Sequence, residues 1–314
     1  MLNRKYICGF VLTASLLASA CAGPERLQRE GMHETLVVAP AWLRLPEHES
    51  EQVLFALAHR ERPVFARLHK LEVTYISAAL PVWATAWAAE RFDAFDVTHA
   101  ASGSENLHHL VLETQFGEVA TTFDLALFNA GVASYMLEIW GAPEHVAALT
   151  ATERGELAAG FDSSEAKSHP ARSPAQAMQV GEAQGIGRGL GLDDTWRVDD
   201  QAGDLRFSLD ARLIDGRAIS EELPYALLAT RYAEFALSAV VADPSRHVRS
   251  STPRDQNTVD IVIDDTHGAL PMVRVYRFVT HDKQAYQLIM STPAALFETN
   301  AALIDTILDS FRAP

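Results

Sequence analysis

The 314-residue sequence has little cysteine and no excess of basic charge. Lys and Arg number 26 against 41 Asp and Glu, a formal net charge of −15, which excludes a broad basic surface for nucleic acid. Apolar residues make up 48% and charged residues 21%, as in globular proteins and unlike collagen-like or wholly disordered chains. We therefore expect a folded protein that does not bind nucleic acid.

No apolar run at the amino terminus is long enough to span a bilayer, which needs about 20 residues. Arg4 and Lys5 are followed by the mostly apolar segment Ile7–Ala20 and then by Cys21. A basic start, a short apolar run and small residues at its end are typical of a secretory signal peptide. We therefore expect residues 1–20 to be removed from the mature protein.

The segment Leu17–Cys21 resembles the lipobox of bacterial lipoproteins, although Ala18 stands where leucine is commoner. The resemblance implies cleavage before Cys21, a diacylglyceryl thioether on its sulfur and an acyl chain on its new amino group. The alternative is a chance cysteine behind an ordinary cleavage site. Loss of Cys8 with the signal peptide would leave Cys21 as the only cysteine, which excludes disulfides and thiol catalysis, and lipidation explains a lone thiol at that position.

The residue after this cysteine is Ala22, which resembles the Gram-negative pattern sorted to the outer membrane. Without the signal peptide the body carries 24 basic and 41 acidic residues, so anionic lipid headgroups repel it. We therefore expect the acyl chains on Cys21 to hold the protein to the cell envelope, at the outer membrane and facing the periplasm.

Composition divides the remaining chain into two segments. Residues 21–34 are polar and predict a tether, whereas residues 162–191 are rich in Ser, Ala, Gln, Gly and Pro and predict a linker. The boundaries give a first domain at 35–161 and a second at 192–314.

The two segments resemble each other. Ile76–Pro81 matches Ile219–Pro224 at an offset of 143, and Tyr135–Leu137 matches Tyr286–Leu288 further on. Because the matching blocks come in the same order, we interpret the chain as an internal duplication. The alternative is two unrelated domains that share only amphipathic helix patterns.

Both segments predict strands rich in Val, Leu, Phe and Tyr, together with two helices. The first helix of each begins at a serine cap, Ser77 or Ser220, and the second copy carries an apolar stripe. The stripe consists of Tyr225, Leu228, Tyr232 and Phe235. The predicted strands are Glu34–Leu45, Gln52–Ala58, Pro63–Ile76, Leu107–Glu113, Val119–Phe128, Ser134–Trp140, Thr258–Asp264, Met272–Val279 and Ala285–Met290. The predicted closing helices are Pro143–Phe161 and Pro293–Phe311. Short connections between consecutive strands favour antiparallel sheets with helices packed on them.

The end of the chain is similar to the closing signature of the PsbP-like superfamily. Tyr286–Met290 is a tyrosine-bearing strand, Pro293 lies in the turn, and Leu308–Phe311 reads Leu-x-Ser-Phe. The first segment has Tyr135 but ends Ala158-Ala159-Gly160-Phe161, so it departs from the signature. The resemblance implies an α+β fold of two tandem antiparallel-sheet sandwiches. It implies no single activity, because known members are mostly accessory or partner-binding proteins.

Candidates for chemistry are few. His99, His108 and His109 lie near Glu105 and Glu113, but adjacent residues of a strand point to opposite faces, so solvated or edge-strand histidines are the favoured interpretation over a zinc site. The glycine-rich run 185–191 lacks the strand and helix of a phosphate-binding loop. No serine–histidine arrangement is recognisable. We therefore expect no enzyme activity, no metal and no cofactor.

Trp83 and Trp87 are four residues apart and share one helical face. One interpretation is that both tryptophans pack in the core. The other is that they form a patch for a partner or ligand, because the positions matched to them by the offset of 143 in the second segment are Ala226 and Thr230, which are not aromatic. The favoured function is a non-catalytic envelope module that binds a protein partner through an exposed apolar patch. The alternative is a periplasmic protein that binds a small or lipid-like ligand in a deep cavity. A hydrolytic enzyme ranks third.

Overall fold

The computed structural model describes residues 23–29, 32–104, 107–116, 119–149, 151–163, 190–201 and 204–312. The expected signal peptide, Cys21 and residues 164–189 of the expected linker lie outside the described residues. In the described part, no helix has the length and apolar character to cross a bilayer.

Two large antiparallel sheets form the frame. The first half of the chain contributes strands β1 (Glu25–Gln28), β2 (Thr35–Val38), β3 (Trp42–Arg44), β4 (Val53–His59), β5 (Val64–Lys70), β6 (Phe95–Ser104), β7 (Leu107–Phe116), β8 (Val119–Ala130), β9 (Ala133–Gly141) and β10 (Phe161–Asp162). The second half contributes β11 (Arg197–Gln201), β12 (Asp204–Leu209), β13 (Ile214–Glu222), β14 (Arg246–Pro253), β15 (Thr258–Asp265), β16 (Met272–His281) and β17 (Gln284–Pro293). The helices are α1 (Ala79–Arg91), α2 (Pro143–Ala147), α3 (Ala151–Ala159), α4 (Ala229–Val241) and α5 (Phe297–Ser310), and short 3-10 turns cover Pro46–His48, Asp210–Arg212 and Ala294–Leu296.

The two large sheets have the same strand order. The first runs β3-β4-β5-β9-β8-β7-β6, and the second runs β11-β12-β13-β17-β16-β15-β14. All neighbouring strands in both sheets are antiparallel. Tyr135 on β9 and Tyr286 on β17 occupy corresponding strands, as the sequence predicts.

Each sheet carries helices on both faces. Alternation along β9 directs Leu137 and Ile139 into the core that faces α2 and α3, and directs Met136 into the core beneath α1. In the second half, α4 buries Tyr232 against one face, and α5 buries Ile304 on the other. The fold class is therefore the expected one, an α+β protein with two antiparallel-sheet sandwiches.

The expected tether at 21–34 is wrong for part of its length. Residues 25–28 form β1, which pairs with β2 in a small sheet that also contains β10. Leu27 is only 3% exposed, because it packs in the core between the small sheet and the first large sheet. At the other end, Leu190 is buried, so the expected linker ends before residue 191.

The predicted start of the first helix in the second segment, at Ser220, is wrong. Ser220 lies within β13, opposite Tyr286, whereas α4 begins nine residues later at Ala229. Counted from the helix starts, α1 and α4 differ by 150 residues, so Trp83 and Trp87 correspond to Ala233 and Leu237 rather than to Ala226 and Thr230. Ser77 does not cap α1 either, because the residue at the cap is Ala78 and no side chain makes the capping bond.

Several boundaries also differ from expectation. The predicted strand Glu34–Leu45 is two strands of different sheets, and β6, β11, β12, β13 and β14 were not predicted. The predicted helix Pro143–Phe161 is divided into α2 and α3 and ends before β10. Polar and charged residues dominate β14 and β11, which are edge strands, so their sequences lack an apolar alternation.

The two halves of the chain touch at the start of α1. Ala79 and Val82 pack against Leu296, and all three side chains are buried. The backbone N–H of Ile76 donates to the carbonyl oxygen of Ala211 at 3.0 Å. The contact places a small apolar cluster and one hydrogen bond between the two sandwiches.

Candidate functional site

A groove of about 360 Å³ lies beside α1 on the first sheet, and we call it the α1 groove. It exists because α1 packs over β7 and β8 and leaves the neighbouring strip of β5 uncovered. Alternation along β5 buries Val64, Ala66 and Leu68 in the opposite core and leaves Arg67 and His69 half-buried on the α1 side. The lining residues are Gln52, Val53, Arg67, His69, Lys70, Leu71, Glu72, Val73, Tyr75, Trp83, Trp87, Arg91 and Met136.

Aromatic rings form one wall of this groove. The ring centroids of Trp83 and Trp87 are 6.5 Å apart with planes 28° apart, and Tyr75 lies 5.7 Å from Trp83. The guanidinium carbon of Arg91 lies 4.8 Å from the centroid of the Trp87 ring. Both tryptophans also pack against the core beneath α1, so they combine core packing with groove lining, and their role as a patch stays a prediction.

His69 of the groove is hydrogen-bonded to a buried carboxylate. Glu138 on β9 is 2% exposed, and its Oε2 accepts from Nε2 of His69 at 2.8 Å. Burial by itself raises the pKa of Glu138, but the hydrogen bond from His69 and the positive charges of His69, Arg91 and Arg67 outweigh it and hold the pKa below its usual value. The carboxylate is therefore ionised at neutral pH.

The corresponding position of the second sheet is arranged differently. Arg217 on β13, which corresponds to Arg67, makes a two-bond contact with Asp204 at 2.7 and 2.9 Å. The residue paired with Arg217 on the neighbouring strand is Ile289, where the first sheet has Glu138 opposite Arg67. Together with the missing tryptophans, these differences confine the charged aromatic groove to the first sheet among the described residues.

Ser77 and His108 lie together, although the sequence analysis recognised no serine–histidine arrangement. The Oγ of Ser77 is 2.9 Å from Nε2 of His108, across the connection that leads into α1. Burial lowers the pKa of His108, while a hydrogen bond with the Ser77 backbone acts in the opposite direction. Spacing could not reveal this pair, because the two residues are 31 positions apart and meet only when β7 packs beneath the start of α1.

His108 and His109 point to opposite faces of β7, as expected for adjacent residues of a strand. His109 lies on the other face, where its Nδ1 is 3.2 Å from Oδ1 of Asp124, and Arg154 lies 3.1 Å from Oδ2 of the same carboxylate. No group of three or more His, Cys, Asp or Glu side chains that could hold a metal occurs among the residues with described positions.

His109, Asp124 and Arg154 line a second cavity of about 350 Å³, which lies between the first sheet and α3. The other lining residues are Leu107, Val111, Ala126, Leu137, Ile139, Gly155 and Ala158. The sequence alone does not reveal this cavity, because its lining comes from three strands and a helix rather than from one segment of the chain.

An exposed apolar face borders α4 in the second half. Tyr225, Leu228 and Phe235 are 58%, 53% and 66% exposed. They belong to the predicted apolar stripe, of which only Tyr232 is buried against the sheet. Since the helix begins at Ala229, Tyr225 precedes it, and Leu228 and Phe235 lie two turns apart on one flank.

Sequence reasoning missed Arg67 and Arg91 as groove residues. A signal for Arg67 was present, since it interrupts an otherwise apolar run in β5. Arg91 follows Trp87 by four residues, which is the spacing that brings a guanidinium over a ring on the same helical face.

No protein-family model matches the chain, and no curated protein matches it either. Among solved structures, the chain is similar to PsbP (CyanoP) from Synechocystis sp. PCC 6803, with 19% identity, a TM-score of 0.30, and coverage of 39% of this chain and 84% of that one. It is also similar to the immunity protein TplEi of T6SS from Pseudomonas aeruginosa, with 10% identity, a TM-score of 0.26, and coverage of 93% and 97%. The Tle4–Tli4 complex gives 10% identity, a TM-score of 0.26, and coverage of 90% and 95%. TM-scores this low carry no argument about function.

Proposed function

We propose that this chain is a lipoprotein of the cell envelope whose folded part is a non-catalytic accessory module that docks on a protein partner. Acyl chains on Cys21 hold it to the membrane after residues 1–20 are removed, and Ala22 favours the outer membrane with the body facing the periplasm. The observation that carries the docking function is the exposed apolar face formed by Tyr225, Leu228 and Phe235.

This face has the properties of a protein contact. Two aromatic rings and a leucine remain more than half exposed, although the same helix buries Tyr232 and Leu237 a turn away. Contiguous exposed apolar surface with a polar rim marks interaction sites, and aromatic residues carry much of the binding free energy at interfaces. Arg231 and Glu234, which pair at 2.6 Å, supply charged residues beside it.

Site-specific photo-crosslinking in intact cells tests the docking function. A photoreactive phenylalanine at Phe235 is expected to give one discrete cross-linked species, which is lost when Leu228→Ser is added. The control is the same probe at Val119, which is 61% exposed on the first sheet and is expected to give no such species. Equal cross-linking from both positions, or none from Phe235, would reject the proposed face.

The anchor has its own test, which is independent of the docking face. Cys21→Ser is expected to release the protein from the membrane fraction or to leave its precursor uncleaved, and to abolish labelling by a radioactive fatty acid. Membrane attachment that persists without any acyl label would remove the lipoprotein part of the proposal.

The non-catalytic part is tested at Ser77, because its contact with His108 has the distance of a nucleophile and its base. Neither residue lines the α1 groove or the cavity beside α3. We expect no labelling by a fluorophosphonate. Labelling that disappears in Ser77→Ala would instead assign a serine hydrolase.

A second candidate function, the binding of a lipid-like ligand, is favoured by the cavity between the first sheet and α3. Its lining is mostly apolar, and His109, Asp124 and Arg154 converge at one side, as in many ligand sites. Native mass spectrometry of protein purified from the envelope tests this candidate. A co-purifying lipid that is displaced by Ala158→Phe would support it, and a ligand-free mass in mild detergent would count against it.

A further inference from the structure

Two guanidinium groups line the α1 groove without a hydrogen bond or close ion pair to a carboxylate of the described residues. The Nε of Arg67 is buried and has no hydrogen-bond partner among the described residues, and its guanidinium carbon lies 4.8 Å from the Trp140 ring. Arg91 lies over the Trp87 ring at the carboxyl end of α1. Within the described part of the chain, neither group is at ion-pair distance from an acidic side chain, unlike Arg217 at the corresponding position of the second sheet.

The acidic side chains near the groove already have other partners. Glu138 is bound by His69 at 2.8 Å, and Glu72 accepts from Gln52 at 2.5 Å. Glu34 pairs with Lys70 at 2.6 Å. Among the described residues, neither arginine is hydrogen-bonded to any of these three carboxylates, although the positive charge of both acts on Glu138. An anion that enters the groove meets two donors that are not committed elsewhere.

The aromatic wall of the groove indicates what kind of ligand body would accompany the anionic group. Tyr75, Trp83 and Trp87 line the groove in a row, with successive centroids 5.7 and 6.5 Å apart. Such a wall binds a flat apolar body by stacking and by removing apolar surface from water. The volume of about 360 Å³ is within the range of small-molecule sites.

We infer that the α1 groove binds a small organic anion with a flat apolar body, whose carboxylate or phosphate is held by Arg67 and Arg91 and whose ring lies against Trp83 and Trp87. The site is independent of the docking face on α4, which lies on the other sandwich. Guanidinium groups bind both carboxylate and phosphate oxygens through paired N–H donors, so the two anions share one recognition chemistry.

Titration calorimetry with the full-length chain in detergent, corrected for detergent alone, tests this inference. The probes are 2-naphthoate, 2-naphthyl phosphate and the uncharged 2-naphthamide, so the first two arms separate the carboxylate from the phosphate. The variants are Arg67→Gln and Arg91→Gln, and the matched control is Arg217→Gln. Because Arg91 is exposed at the end of its helix, its variant is expected to fold even if Arg67→Gln does not. Circular dichroism and a thermal melt check the folding of each.

We expect at least one charged probe to bind about tenfold more tightly than the amide, a difference typical of charge-assisted hydrogen bonds. Arg91→Gln and any folded Arg67→Gln should each lose about tenfold in affinity, whereas Arg217→Gln should match the unaltered protein. Equal affinity for charged and uncharged probes overturns the inference. The absence of binding by every probe would also overturn the inference, and so would an equal loss of affinity in all three variants.

Discussion

Arg67 on β5 lies directly opposite Glu138 on β9, yet the hydrogen bond of Glu138 goes to His69, two residues further along β5. Glu138 is ionised and 2% exposed, so its carboxylate depends on that hydrogen bond and on nearby positive charge. Arg67 therefore lines the α1 groove without a hydrogen bond to Glu138, although its positive charge helps to keep that carboxylate ionised.

The first prediction concerns this buried pair. His69→Leu removes the hydrogen bond from a buried carboxylate, and we expect it to lower the free energy of unfolding by about 3 kcal/mol. Glu138→Gln removes the charge and retains a polar side chain, so we expect a smaller loss of about 1 kcal/mol. Urea unfolding at pH 7 measures both, and a smaller loss for His69→Leu than for Glu138→Gln would contradict the prediction.

The same pair predicts a pH dependence of stability. The pKa of Glu138 is lower in the folded state than the ordinary value of 4.5, so its stabilising contribution is complete above that ordinary value and is lost as the pH falls through the folded-state pKa. The pKa values of ordinary carboxyl groups reach up to about 5. As the pH falls from about 5 to strongly acidic values, we expect the unaltered protein to lose more stability than Glu138→Gln. Parallel stability curves for the two proteins would show that Glu138 contributes nothing to the acid response.

Alanine substitutions at two glycines near α3 are expected to change the stability of the protein in opposite directions. A Cβ at Gly155 within α3 meets no atom within 4 Å, so Gly155→Ala should stabilise the protein by about 1 kcal/mol through helix propensity. A Cβ at Gly160 would lie 2.2 Å from the carbonyl oxygen of Val37 on β2, so Gly160→Ala should destabilise by about 2 kcal/mol. Thermal melts of both variants test the pair, and shifts of the same sign would refute it.

A further prediction concerns the second sheet. Arg277 is 5% exposed and binds Asp260 through two bonds of 2.7 and 2.8 Å, whereas Arg254 reaches the same carboxylate from a half-exposed position. Asp260→Asn removes the two-bond carboxylate and leaves the buried guanidinium with only Asp309, which is 60% exposed and lies at 2.7 Å, so it should cost about 3 kcal/mol. Arg254→Gln should cost less than about 1 kcal/mol, because an exposed ion pair contributes little. Chemical unfolding of the two variants tests this prediction, and equal losses in the free energy of unfolding would contradict it.

The sequence was sufficient for some of the strands but not for the complete sheets or for the sites. Periodic apolar strands such as β8 and β16 could be predicted, because burial of one or both faces imposes a pattern that a single sequence retains. Edge strands such as β6 and β14 were missed, since an exposed strand tolerates polar residues. Of the residues that line the α1 groove, the sequence singles out only Trp83 and Trp87, as a candidate patch for a partner or ligand. Arg67 and Glu138 come together by strand pairing across 71 residues, which a single sequence does not reveal.

The helix starts show a related limit. The identity of Ile76-Ser77 with Ile219-Ser220 suggested equivalent caps, but pairing with β17 extends β13 through Ser220 to Glu222. On the first sheet, β5 ends at Lys70 and the chain leaves the sheet before α1. Local identity could not distinguish these outcomes, because the length of each strand depends on its partner.

The final prediction concerns the contact between the two halves of the chain. Val82 is 9% exposed and packs with Ala79 against Leu296, so Val82→Asp would place a carboxylate in an apolar contact without a partner. The substitution lies in the first turn of α1, where a negative charge favours the helix, so the helix itself should persist. We expect calorimetry to show two separate unfolding transitions in Val82→Asp and one in the unaltered protein. Val132→Asp, at a position 46% exposed in the turn between β8 and β9, is the control and should keep one transition. A single transition at lower temperature in Val82→Asp would show that other contacts couple the halves.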